Sequence, residues 1–223
     1  MGAKRTEEWG LGEQMKYLTE GLPKKQVNVL RKLGLQTSSS GFYLAGGTGL
    51  AIYLGHRVSV DLDWFTSDVF EDGMLIAQSL RNSNIQVEIE QVSPGTLHGS
   101  VNGVRVTFLQ YQYPLLRPLN YWSEMGCNLA SLEDLACMKL SAVAQRGARK
   151  DFCDIYALGK KFFSLQEMLD LYQKKFNIRD VGSDLYGLVY FDDAESERMP
   201  RMLWDVNWGE IKKSILEWVK NIS

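Results

Sequence analysis

The spacing of apolar and polar positions divides the chain into two halves of different character. In the first half, short apolar runs alternate with turn residues. Residues 23–33 read as a helix: Pro23 suits its first position, Val27, Val29 and Leu30 supply apolar surface, and Gly34 can end it. Thr37 to Gly41 reads as a loop. Phe42 to Ala45 is a short strand-type run broken by Gly46-Gly47. Thr48 then opens a helix to about Leu54, and Gly55 stops it. Val58 to Phe65 alternates with period two, so Val60, Leu62 and Trp64 face one way and Ser59, Asp61, Asp63 and Phe65 the other. A helix near 71–81 follows, then strands near 85–92, 96–101 and 104–111. Asn102-Gly103 between the last two is a strong hairpin signal.

From about residue 121 the period becomes helical. Ser131 with Asp134 resembles a capping box and opens a helix to about Arg146. Residues 151–158 form another, with Gly159 as its cap. Ser164 with Glu167 is a second capping box. The last helix, about 208–221, carries Ile211, Ile215, Trp218, Val219 and Ile222 at helical spacing. These patterns predict an α/β (α+β) fold: a mixed β-sheet core flanked by helices over residues 1–120, and a helical C-terminal lobe over 121–223.

Composition narrows the classes. The 223 residues carry 25 basic and 27 acidic side chains, so any nucleic-acid contact must be a local patch. No apolar run is long enough to span a membrane, and the N-terminal MGAKRTEEWG lacks the apolar core of a secretory signal. Gly2 and Thr6 fit the short myristoylation pattern, which is too common to carry weight. Cys127, Cys137 and Cys153 are an odd count at no zinc-like spacing, which reads as reduced thiols in a cytoplasmic protein.

The chemistry concentrates in residues 42–65. Gly46 and Gly47 lack a Cβ, so backbone N–H groups can approach a ligand, and the helix N-terminus behind them favours an anion such as phosphate. The Thr48 hydroxyl can bond a phosphate oxygen or cap its own helix. Asp61 and Asp63, two apart on a strand, project from one face with Cα atoms roughly 6.5–7 Å apart. Two carboxylates so close repel unless a cation neutralises them, and hard oxygen ligands suit Mg²⁺ or Mn²⁺. Later in the chain Leu132, Leu135, Ala136, Lys139, Val143 and Arg146 fall along one helical stripe. Lys139 therefore sits among apolar residues and needs an anion. Asp151 and Asp154, three apart, share one side of the next helix and can supply it. That arrangement reads either as a structural ion pair or as a phosphate-binding lysine held by an acid. Arg146, Arg149, Lys150, Lys160 and Lys161 form a local basic cluster. His56 could touch phosphate or be structural, and His98 in the hairpin carries no assigned function. The six tryptophans read as packing.

The segment GGTGLAIYLGHRVSVDLDWF resembles the first motif of the nucleotidyltransferase family that includes the AbiEii/AbiGii-type toxins, within the DNA polymerase β-like superfamily. The matching residues are Gly46, Gly47, Thr48, His56, Arg57, Ser59, Asp61 and Asp63. A second block, residues 132–158, matches through Lys139, Arg146, Asp151 and Asp154. A third, residues 191–213, resembles the family's C-terminal segment. One departure is plain: many superfamily members carry a third carboxylate on a later central strand, where this chain has Arg105 or Thr107.

The resemblance implies a nucleotidyltransferase-type sheet core. It implies an enzyme that transfers a nucleoside monophosphate from an NTP to a tRNA or protein acceptor, and a toxin with a cognate antitoxin or a phage-defence role. Asp61 and Asp63 would hold the metal and act with Lys139 and Asp154. Gly46, Gly47, Thr48, His56, Arg57, Lys139, Arg146 and Asp151 would bind nucleotide. The missing acid keeps open an inactive nucleotide-, RNA- or partner-binding module, and a kinase-like phosphotransferase is a third reading.

Overall fold

The computed structural model describes residues 16–222. The readings made of the extreme N-terminus lie outside them. The chain order is α1 (Lys24–Ser39), β1 (Tyr43–Leu44), α2 (Gly46–Leu54), β2 (Leu62–Thr66), α3 (Gly73–Asn82), β3 (Glu88–Ser93), β4 (Thr96–Val101), β5 (Val104–Gln110), β6 (Asn120–Trp122), β7 (Cys127–Leu129), α4 (Leu132–Arg146), α5 (Arg149–Lys161), α6 (Leu165–Phe176), α7 (Gly182–Val189), α8 (Asp192–Glu195) and α9 (Trp208–Lys220). The strands form one mixed sheet in the order β3-β4-β5-β2-β1-β7-β6. β2 pairs parallel with β5 and β1 parallel with β7; the other neighbours are antiparallel.

Strand alternation gives the sheet two unlike faces. Leu97, Phe108, Trp64, Leu44 and Leu129 are level with one another across five strands, and all are fully buried. They meet α1 through such residues as Val29, Leu30 and Leu33, and α3 through Ala77 and Leu80. A buried Leu or Phe is worth ~1.5–3 kcal/mol over an exposed one, so this row pins the register of all five strands. Their chain neighbours, among them Asp63 and Thr107, point to the other face. There α2 packs on β2, α4 and α5.

Several boundaries differ from those the sequence predicts. Gly34 does not end α1. The helix runs on to Ser39 and takes in three of the five residues of the expected loop, its last turn held by the Thr37 hydroxyl donating to the Leu33 and Gly34 carbonyls. Gly34 is instead a close approach, since a Cβ there would lie 2.0 Å from the Met125 carbonyl oxygen. Gly159 is likewise inside α5 and not its cap, because a Cβ would meet the Trp218 ring at 2.4 Å. The expected strand from Val58 begins only at Leu62, and Val60 is exposed, not part of the buried face. Its backbone partners explain this: Val58 N–H donates to the Arg201 carbonyl and Ser59 N–H to Gly21, outside the sheet. The expected boundary at 121 falls within β6, and β6 and β7 extend the sheet before the helices of the C-terminal half begin at Leu132. Ser131 caps α4, but Asp134 does not return the bond to the Ser131 backbone. Its carboxylate is occupied by Lys175 at 2.6 Å, the Ser131 hydroxyl and the Leu116 and Arg117 N–H groups. The capping box at Ser164 and Glu167 is present in full.

Cys127, Cys137 and Cys153 are free and buried, and burial pushes each thiol up to about 12. Among the described residues no helix is long and apolar enough to cross a membrane.

Candidate active site

The centre of the site is the crossing of β1, α2 and β2. Ala45 N–H donates to the Asp63 carbonyl at 3.1 Å, closing β1 onto β2 just as the chain turns into α2. Gly46 takes φ +63°, a left-handed conformation in which L side chains are strained. A Cβ at Gly46 would lie 2.8 Å from Asp63 Oδ2. The missing side chain is what allows the Asp63 carboxylate to stand against the first turn of α2. At Gly47 a Cβ would lie 2.5 Å from Arg57 Nη2. A carboxylate and a guanidinium therefore border this turn on its protein side.

Thr48 is buried. Its hydroxyl is 2.8 Å from the Ser59 hydroxyl and also donates to the Asp61 carbonyl. That side chain ties α2 to the approach of β2. Asp61 lies just before β2 and Asp63 within it, two residues apart on the same side of the strand. Arg105 on β5 brings Nε to 3.8 Å from Asp61 Oδ1, and Thr107 is level with Asp63. Both candidate positions for a third acid thus lie on the site face, and neither is acidic. Burial and the charge of Asp61 push the Asp63 carboxyl up, and the Lys139 charge, a Thr107 hydrogen bond and Lys150 pull it partly back.

Beneath this pair lies a buried ion network. Asp154 is fully buried. It receives Arg57 Nε at 2.6 Å and Nη2 at 2.8 Å, His56 Nε2 at 2.7 Å and Lys139 Nζ at 2.6 Å. Lys139 also lies 3.2 Å from Asp151, which accepts two hydrogen bonds from Arg146, at 2.7 and 2.9 Å. Burial pushes Asp154 up, but Arg57, Lys139 and His56 hold it well below the usual carboxylate range. Burial acts the same way on Asp151, and Arg146 and Lys139 outweigh it. Burial pushes the His56 imidazole down despite Asp154, so it is neutral and its Nε2–H donates. Paired links from the C-terminal half fix the His56–Val58 backbone: Leu203 N–H donates to the His56 carbonyl, and Arg57 bridges to Met202.

The network brings together His56, Arg57, Lys139, Arg146, Asp151 and Asp154, all singled out from the sequence, and seats them behind Asp63. The basic cluster is not one surface. Arg149 donates to the Ala194 and Glu195 carbonyls and lies over Trp208, and Lys160 lies over the Tyr156 and Trp218 rings. Exposed Lys150 is the member of that cluster, besides Arg146, whose charge bears on the site.

The family model for the nucleotidyl transferase AbiEii toxin of type IV toxin–antitoxin systems matches residues 28–115 and 103–219. The chain belongs to the AbiEii nucleotidyltransferase toxin family. An uncharacterized protein of Aquifex aeolicus (strain VF5) is 34% identical over 207 residues, covering 90% of this chain and 98% of its own. Among solved structures, MenT4, a nucleotidyltransferase toxin from Mycobacterium tuberculosis H37Rv, aligns with a TM-score of 0.56 at 12% identity, over 88% of this chain and 83% of that one. A candidate nucleotidyltransferase from H. pylori aligns with a TM-score of 0.52 at 15% identity, over 88% and 92%. At those identities the structural likeness shows the nucleotidyltransferase fold alone.

Two residues of the AbiEii chain join the site without standing out in the sequence. Thr107 draws notice there only as the place of a missing acid, and His98 has no assigned role. His98 Nδ1 lies 3.3 Å from Thr107 Oγ1, on the strand beyond it. A signal for this exists: the two-residue turn at Asn102-Gly103 pairs Val101 with Val104, and counting back places His98 opposite Thr107.

Proposed function

We propose that this chain transfers a nucleoside monophosphate from an NTP to an acceptor hydroxyl on a tRNA or protein, releasing pyrophosphate as the bond between the α- and β-phosphates breaks, in a reaction that depends on Mg²⁺ or Mn²⁺. The observation that carries this reading is the approach of Asp63 to the first turn of α2 at Gly46, which joins an acid pair to an anion-favouring helix end.

The acid pair fits a divalent cation. Its donors are hard oxygens on one side of a strand, and burial together with mutual repulsion leaves Asp63 short of positive charge. Among the described residues no third His, Cys, Asp or Glu joins them, so water and substrate phosphate would complete the shell. Held by Asp61 and Asp63, the cation would supply Lewis-acid polarisation of the transferring phosphate.

The chain's own groups do the rest. The Gly46, Gly47 and Thr48 N–H groups bind the trailing phosphates, with Arg57 adding positive charge from beneath the turn. The Thr48 hydroxyl keeps α2 in register with the acids. Lys139, fixed by Asp151 and Asp154, offsets negative charge building on the reacting phosphate. His56 orients Asp154, and Arg146 with Lys150 offers charge at the rim for the triphosphate or the acceptor. As a type IV toxin the chain would be opposed by an antitoxin, and a small adjacent regulator gene would favour that reading.

The test is incubation with Mg²⁺, each α-labelled NTP and total tRNA. Label should appear on tRNA or protein and vanish in Asp63→Ala. Transfer from γ-label and not α-label would make the chain a phosphotransferase. Nucleotide binding without transfer, unchanged in the double variant Asp61→Ala/Asp63→Ala, would make it a binding module.

A further inference from the structure

The face of the sheet that carries Asp63 continues sideways. Thr107 is level with Asp63 across the parallel β2–β5 pair, and His98 is level with Thr107 across the antiparallel β5–β4 pair. Residues level on adjacent strands stand about 5 Å apart on one face, so the three side chains form a row running from the strand next to the sheet edge to the acid pair.

Hydrogen-bond bookkeeping gives the row a direction. Thr107 is buried, and the strand register sets its hydroxyl beside Asp63, where hydrogen bonding to the carboxylate draws that carboxyl down. A threonine hydroxyl has one proton. When that proton goes to the Asp63 carboxylate, Thr107 Oγ1 can only accept from its other neighbour. That neighbour is His98 Nδ1 at 3.3 Å. Donation to Asp63 thus requires the His98 tautomer with its proton on Nδ1, and the row then reads His98 Nδ1–H to Thr107 Oγ1–H to Asp63. Without the donor on His98, the hydroxyl has a free lone pair and a free rotor, and its hold on Asp63 weakens.

We propose that Thr107 and His98 are positioning residues that fix the orientation in which Asp63 takes up a divalent cation. This rests on the reading of Asp61 and Asp63 as a cation site. Neither residue touches the substrate or the reacting phosphate. They act on the acid from behind, as carboxylates and carbonyls act on the ligands of many metal sites, where losing such a partner costs about 10–100-fold in affinity.

Mn²⁺ binding to the full chain, followed by the loss of free-ion electron paramagnetic resonance signal, tests this without relying on turnover. Thr107→Val should weaken Mn²⁺ binding by about 10-fold or more, and Thr107→Ser, which keeps the hydroxyl, should stay within about 3-fold of wild type. His98→Phe should weaken binding several-fold, whereas His98→Asn, whose amide can replace the Nδ1 donor, should restore it. In the Thr107→Val background, His98→Phe should have no further effect, because its influence passes through the hydroxyl. Wild-type affinity in Thr107→Val and His98→Phe, with binding still abolished in Asp63→Asn, would overturn the positioning role and leave the cation site standing. An undiminished effect of His98→Phe in the double variant would overturn it too. Failure of Asp63→Asn to alter Mn²⁺ uptake would remove the cation site and the proposal with it.

Discussion

Asp154→Asn removes one charge and almost no volume from the buried network, and its cost follows from who is left unpaired. In the native protein Arg57, Lys139 and Arg146 face the carboxylates of Asp154 and Asp151. After the substitution the same cations share Asp151 alone. Arg146 is half-exposed and screened by water, but the Arg57 and Lys139 side chains are each only 5% exposed. Breaking a buried pair costs ~3–5 kcal/mol, against ~0–1 kcal/mol for an exposed one. For a domain of this size each kcal/mol shifts the melting temperature by about 2–4 °C, so the variant should melt about 6–20 °C lower at neutral pH. The effect has a pH signature. The Asp154 carboxyl lies below its unfolded value, so its contribution is full above about pH 4 and is lost as pH falls through its folded value. Thermal and urea melts of both proteins from pH 7 downward should show the gap narrowing in acid. A loss under about 1 kcal/mol at pH 7, or a gap that persists wherever the native protein still folds in acid, would refute the network argument.

Asp63→Asn should abolish transfer yet leave the metal-free protein as stable as wild type or more so. Because the folded carboxyl lies above its unfolded value, the stability it contributes is present in acid and lost as pH rises through its folded value. Mg²⁺ should raise the melting temperature of wild type and not of the variant; an equal shift in both would place the cation elsewhere. Gly46→Ala forces a side chain into φ +63° and against Asp63 Oδ2, which costs ~1–2 kcal/mol in the backbone alone. Transfer should fall by more than about 10-fold, since about 1.4 kcal/mol of lost alignment already accounts for tenfold; wild-type rates would show that the carboxylate need not touch the turn. Gly159→Ala places a Cβ 2.4 Å from the Trp218 ring, and overpacking of ~1–3 kcal/mol should exceed the ~1 kcal/mol gained in helix propensity. A urea midpoint that stays put or rises would mean that Trp218 swings aside freely.

Patterns that act over a few residues are legible in the chain itself. The Gly-Gly turn into a helix, the Asp-x-Asp strand, the Ser164–Glu167 cap and the Asn102-Gly103 hairpin each depend on neighbours within about one turn or one tight loop. The buried position of Lys139 is legible as well, because its helical stripe is apolar. Gly34 and Gly159 mislead for a definite reason. A missing Cβ serves a helix end and a close approach equally well, and only the Met125 carbonyl and the Trp218 ring distinguish the two. The sheet strands around and beyond residue 121 go unread because β6 and β7, three residues each, are too short to show a period. The chain by itself thus determined the longer helices, the tight turns and the longer strands, and which carboxylates and cations were available. Tertiary structure alone decided that Asp154 would hold Arg57 from 97 residues away, and that Thr107 and not Arg105 would stand level with Asp63. Local propensity is written in neighbouring side chains, whereas a buried charge takes its partner from whatever the packed core brings within reach.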